Sequence, residues 1–325
     1  MLRRFLAGAT LSALLLAGCA QGQEAAPGET QKPNELAAVE IGAVTIVSHP
    51  SLDAIYEGFK EGLAEAGYVE GENLKLDFQN PQGDQQTLAN ITSAFASSKF
   101  DLFLTIATPP TQALAQAVTD RPIVFASVTE PVGAGLVESM EKPGHNVTGT
   151  SDQIPPEQQL DRLQQILPGL ETLGIVYTSK EINAEFQAAA MSQAAKARDI
   201  EVKTVTVTDS AEVAQAAESL DVDAYWVGND NTVVSAIESV VQAAEQKGSL
   251  LFTSDADSVV RGAAASLATD YKAQGVQTAK IAVKILKGAD PASTPVEIQE
   301  SLEFTVNPEA AKRMGVEIPA DVLAE

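Results

Sequence analysis

The chain has 325 residues, with 21 Lys and Arg against 44 Asp and Glu and a formal net charge of −23. So acidic a surface repels phosphate backbones and anionic lipid faces, which excludes nucleic acid as a partner. A hydrophobic content of 45% with 20% charged residues excludes wholesale disorder, and the length suits about two domains.

Residues 1–4, Met-Leu-Arg-Arg, form a basic start, and Phe5 to Ala17 is an apolar run of 13 residues, too short to cross a bilayer of roughly 30 Å as a helix. It ends in Leu16-Ala17-Gly18-Cys19, the only cysteine of the chain. Small residues before a cysteine at this distance resemble a bacterial lipobox, which implies a signal peptide over 1–18 and a lipid on Cys19; the plainer reading is a secretory signal with an incidental cysteine. Residues 19–39 have no apolar period and read as a flexible tether.

Short apolar runs then alternate with amphipathic stretches. Strands are expected at 41–48, 74–79, 101–107, 123–128, 146–149, 172–178, 201–207, 224–228, 250–254 and 264–269, several of them apolar almost throughout, as in parallel sheets covered on both faces. Helices are expected where Ile55, Phe59 and Leu63 share a face, where Val233, Ile237, Val240, Val241 and Ala244 do, and over 271–287, with Gly67 and Gly248 at helix C-termini. The alternation gives an α/β fold of doubly wound units. The series restarts: strand, helix, strand over 41–79 recurs over 172–207, so two α/β lobes with parallel sheets are expected, separated by the polar stretch Gly149–Pro156. Two such lobes enclose a cleft.

In open α/β sheets ligands sit beyond the carboxyl ends of the strands. Those places hold Ser48-His49, Thr108-Pro109-Pro110 and Thr129-Glu130 in the first half, and Tyr177-Thr178, Asp230-Asn231, Ser254-Asp255 and Asp270-Tyr271 in the second. Thr108 opens a helix whose free N–H groups suit a carboxylate, and the acids of the second half suit an ammonium group. No arginine falls at any of these positions, which disfavours phosphate and dicarboxylates and favours a zwitterion. Each residue also fits plain helix capping. His49 reads as a loop histidine rather than a catalyst, Trp226 as sheet core, and Tyr177 and Phe252 as walls of an apolar pocket. The chain has no P-loop, no H-E-x-x-H, no nucleophile elbow and no complete dinucleotide fingerprint, so no catalytic residue, cofactor or metal is expected.

The segments VSHPSLDAIYEGFKEGLAEAGYVEGENLKLDFQNPQGDQQTL, TIATPPTQAL, PIVFASVTEPVGAGLVESMEKPGHNVTGTSD, YWVGNDNTVVSAIESV and FTSDADSVVRGAAASLATDYKAQGVQTAKIAVKILKG resemble the lipoprotein solute-binding components of ABC importers of the TrpX-like, tryptophan/aromatic amino acid type. The resemblance covers about 40–318 and implies the type I periplasmic binding protein fold, with a three-crossover hinge. It implies an N-terminal lobe of 40–150 plus 269–300 and a C-terminal lobe of 151–268 plus 301–325. It places Thr108 and Thr129 on the ligand from the first lobe, Asp230, Asn231 and Asp255 from the second, and Asp270 at a crossover; His49 and Tyr177 join them as strand-end candidates. The expected protein is a monomer, lipid-anchored in the cell envelope, handing a small zwitterion such as tryptophan to an ABC permease and its ATPase. Branched or aliphatic amino acids and purine-like solutes are the alternative ligands, and an exported enzyme using the same cleft is the alternative class.

Overall fold

The computed structural model describes residues 36–299 and 301–324; the leader, Cys19 and most of the tether lie outside the described residues. In chain order the first part runs β1 (Val39–Val44), α1 (Pro50–Glu65), β2 (Leu74–Gln79), α2 (Gln85–Ala96), β3 (Leu102–Ile106), α3 (Thr108–Ala117), β4 (Ile123–Ala126) and β5 (Val147–Ser151). The second runs α4 (Pro156–Ile166), β6 (Thr172–Thr178), α5 (Ile182–Lys196), β7 (Glu201–Val207), α6 (Val213–Ser219), β8 (Ala224–Val227), α7 (Asn231–Ser235), α8 (Ile237–Lys247), β9 (Leu250–Thr253), α9 (Asp257–Val260) and β10 (Ala265–Thr269). The chain closes with α10 (Tyr271–Leu286), β11 (Glu297–Ile298), β12 (Leu302–Val306) and α11 (Pro308–Arg313).

Two sheets result, ordered β11-β5-β4-β3-β1-β2 and β12-β10-β9-β8-β6-β7. Leaving out β11 and β12, the five remaining strands of each follow the same order, so the repeat seen in the sequence is a repeat of topology. Each sheet is covered on both faces by helices, and each lobe has its own core: Phe59, Phe103 and Phe125 are fully buried in the first, Phe252 and Tyr225 in the second. Burial of one such side chain contributes about 1.5–3 kcal/mol. Phe252 is therefore core and not a pocket wall.

Three features differ from the sequence expectation. The two C-terminal strands β11 and β12 were not expected from the pattern, because the stretch Glu297–Val306 is polar and largely solvent-facing. β12 also runs antiparallel to β10, so the second sheet is mixed. The helix expected over 233–244 is broken at Ala236, whose φ of −117° and ψ of 27° separate α7 from α8.

The chain passes between the sheets three times: after β5, after β10, and between β11 and β12. On its second passage α10 packs against α1, and Tyr271, Ala279, Ile281 and Ala282 join the first lobe's core. The contact is backbone to backbone. A Cβ on Gly275 would lie 2.1 Å from the Ile55 carbonyl oxygen, and one on Gly58 2.0 Å from that of Lys272. Glycine inside a helix costs about 1 kcal/mol relative to alanine, and here that cost is offset by the close approach of the two helices.

Candidate functional site

Between the lobes lies a narrow cavity lined from both sides, the kind of place that small-molecule sites prefer. The first lobe supplies residues just beyond its strands: His49, Ser51 and Leu52 after β1, Ala107 and Thr108 after β3, Ser127 and Thr129 after β4, and Asp152 after β5. The second lobe supplies Asn183 from the start of α5, Asn229, Asp230 and Asn231 after β8, Val234 from α7 and Asp255 after β9; Tyr271 comes from the second crossover.

Two of these residues have unusual backbones. Ala107 has φ of 81° and Ser127 φ of 58°, a region that L-residues with a Cβ avoid. They follow adjacent strands and both line the cavity. Strain of this kind, on the order of 1–3 kcal/mol per residue, is held only where the surroundings enforce it, and it gathers at binding sites.

The acids of the cavity differ in what they have left to offer. Asp230 caps α7, accepting from the Val233 N–H at 3.0 Å, and from the Thr178 N–H at 2.6 Å. Asp255 accepts from the Ser258 N–H at 2.8 Å and the Ser258 hydroxyl at 2.7 Å, and faces the Ser51 hydroxyl at 3.3 Å. Asp152 accepts through Oδ2 from Ser127 at 2.6 Å and Asn229 at 2.7 Å, with the Tyr271 hydroxyl at 3.5 Å. Its Oδ1, also buried, makes no hydrogen bond of ordinary geometry among the described residues, although the nearby Thr129 hydroxyl works against the rise that burial causes in the carboxyl's pKa. Burial raises the pKa of Asp152 and of Asp255; that of Asp230 is raised by burial and by Glu181, a buried carboxylate behind Asn231 and Thr232.

The neutral donors come from the first lobe. Thr108 Oγ1 is buried without a partner, and so are both ring nitrogens of His49. Burial brings the His49 pKa down to about 4, with nearby Asn231 pulling the other way. His49 is thus a neutral imidazole near pH 7, with one N–H to donate. Among the described residues that line the cavity there is no Lys or Arg.

Six of the eight residues expected from the sequence therefore meet in one cavity: His49, Thr108, Thr129, Asp230, Asn231 and Asp255. Tyr177 and Asp270 do not. Tyr177 packs against the second lobe's core, and Asp270 is exposed and caps α10 through the Ala273 N–H at 2.9 Å. The aromatic residue at that crossover is the next one, Tyr271. The helix-terminus expectation at Thr108 also changes, because Pro109 and Pro110 have no N–H to give; what Thr108 offers is its hydroxyl. Asp152 was missed, since the strand was expected to stop at 149. β5 continues through Thr150 and Ser151, both fully buried, and it is the residue after the true strand end that faces the cleft.

The family profile described as ABC transporter substrate binding protein matches residues 40–325. The chain belongs to this family. Such substrate-binding proteins act outside the cytoplasm, take up small molecules and pass them to a membrane permease. This one is 35% identical over 310 residues to a tyrosine-binding protein of Clostridioides difficile, covering 94% of this chain and 90% of that one. It is 38% identical to an ABC domain of Streptococcus pneumonia solved in complex with L-Trp, with a TM-score of 0.86 over 89% of this chain and 98% of that one. Against the ligand-free, open structure of a Clostridium difficile substrate binding protein with adhesive properties, identity is 36% and coverage 87% and 97%, yet the TM-score is 0.68. In this substrate-binding protein the lobes meet across the cleft: the Ser51 hydroxyl at the start of α1 lies 2.9 Å from Asp257 Oδ2 and 3.3 Å from Asp255 Oδ1.

Proposed function

We propose that the protein binds an aromatic α-amino acid in the interlobe cleft and delivers it to the permease of an ABC importer. The ammonium group pairs with Asp152, and the carboxylate accepts from Thr108 and from the neutral His49. One observation carries this reading: Asp152 is buried, with an oxygen that makes no hydrogen bond of ordinary geometry, in a cavity that has acids but no Lys or Arg among the described residues. A ligand bearing a cation satisfies that oxygen and reverses the cost that burial imposes on the carboxylate. The tyrosine-binding and L-Trp-bound relatives support the amino-acid class and its aromatic side chain.

Asp152→Asn keeps the shape of the site and removes its charge. It should weaken the binding of L-tyrosine or L-tryptophan, measured by calorimetry, by about 2–5 kcal/mol. Unchanged affinity would remove Asp152 from the site. A lipid on Cys19 and a monomeric state belong to the same proposal. Cys19→Ser should move the protein from the membrane fraction to the soluble one, and continued sedimentation with membranes would reject the anchor.

A further inference from the structure

A second hollow lies behind Thr129, which lines both it and the cleft. Its walls are Glu130 and Gln153 on one side and Gln159, Gln187 and Trp226 on the other. Their linings are also tied together at two further points: Gln153 follows Asp152 in the chain, and Gln187 Oε1 accepts from the backbone N–H of the cleft residue Asn229 at 2.8 Å.

The annex is built rather than incidental. The Trp226 indole N–H donates to Gln159 Oε1 at 2.9 Å, and the Gln159 amide donates onward to the Ser254 hydroxyl at 2.9 Å, so the ring is fixed. Gly228 leaves the space these side chains need, since a Cβ there would lie 2.7 Å from the Trp226 ring and 2.6 Å from Gln187 Oε1. At the rim stands Glu130, half-buried, with Gln153 as its one donor among the described residues. The result is a space with the Trp226 indole among its walls, a carboxylate acceptor at its rim and no basic residue lining it. Such a space suits a planar ring that carries an N–H or O–H at its far edge.

We propose that this annex receives the ligand's side chain, and that Glu130 selects rings bearing a hydrogen-bond donor remote from the amino-acid group. The proposal rests on the amino-acid reading above, which puts the ammonium on Asp152, one residue from the annex. A site that hydrogen-bonds a substrate's polar group rejects the analogue lacking it far more strongly than an apolar pocket rejects a change in size.

The test titrates L-tyrosine, L-tryptophan and L-phenylalanine into the full chain and into Glu130→Leu and Glu130→Gln. The wild type should prefer tyrosine and tryptophan over phenylalanine by about tenfold or more. Glu130→Leu should abolish that preference by weakening the two donors' binding while phenylalanine binding holds, and Glu130→Gln should fall between. Equal wild-type affinity for all three, or equal weakening of all three by Glu130→Leu, overturns the role of Glu130 and leaves the amino-acid reading standing. If the wild type binds none of the three, both fall.

Discussion

At the residue scale, His49 carries the clearest electrostatic consequence. Its pKa is lowered from an unfolded 6.5 to about 4, chiefly by burial, with Arg261 adding to the effect and Asn231 opposing it. Between these values the unfolded chain takes up a proton that the folded chain refuses. The stability that neutral His49 contributes is therefore complete above pH 6.5 and is lost as pH falls towards 4. The raised carboxyls Asp152, Asp255 and Asp230 with Glu181 act in the opposite sense, so the effect appears in a difference. Urea denaturation without ligand should show the wild type losing on the order of 2–3 kcal/mol relative to His49→Asn between pH 7 and pH 4.5. Equal pH dependence would mean that His49 protonates freely in the folded state. The position of His49 was legible because it follows an apolar strand. Asp152 was not, because buried Thr150 and Ser151 hide the end of β5 from a reading that equates strand with apolar residues.

The elements make a separate point about what holds the hinge side together. The second crossover delivers α10 to the first lobe, and its seat on α1 depends on Gly275 and Gly58 more than on any large side chain. Neither helix can move aside, since the atoms met by an added Cβ are backbone carbonyls. Gly275→Ala should therefore cost about 2 kcal/mol or more, whereas Gly169→Ala, exposed and with nothing within 4 Å, should stay within about 0.5 kcal/mol of the wild type. Thermal or urea unfolding of the two variants checks this, and equal stability would contradict the backbone-contact account. The apolar face of α10 was plain in its spacing of Val276, Ala279 and Val283. Its partner was not, because a glycine seat leaves no hydrophobic signature. The polar strands β11 and β12 were missed for a related reason, as they edge the sheets and face solvent on one side.

For the whole molecule, duplication and the meeting of the lobes are one argument. The same strand order in both lobes points two sets of strand ends at one cleft, which is why residues far apart in sequence, such as Ser51 and Asp257, come within 2.9 Å. On the outer side Phe186 of α5 lies over Gly133 of the first lobe, where a Cβ would come within 2.9 Å of its ring. The doubly wound pattern and the restart were readable from periodicity, whereas contacts across the cleft leave no local pattern to read.

The central claim is that an acidic cleft selects its ligand by an ammonium group on Asp152. The most direct measurement is a calorimetric comparison of L-tyrosine and L-tryptophan with their deaminated counterparts, in which hydrogen replaces the α-amine. The amino acids should bind, and the deaminated acids should bind more weakly by on the order of a hundredfold or more. Equal affinity for the two sets would contradict the account.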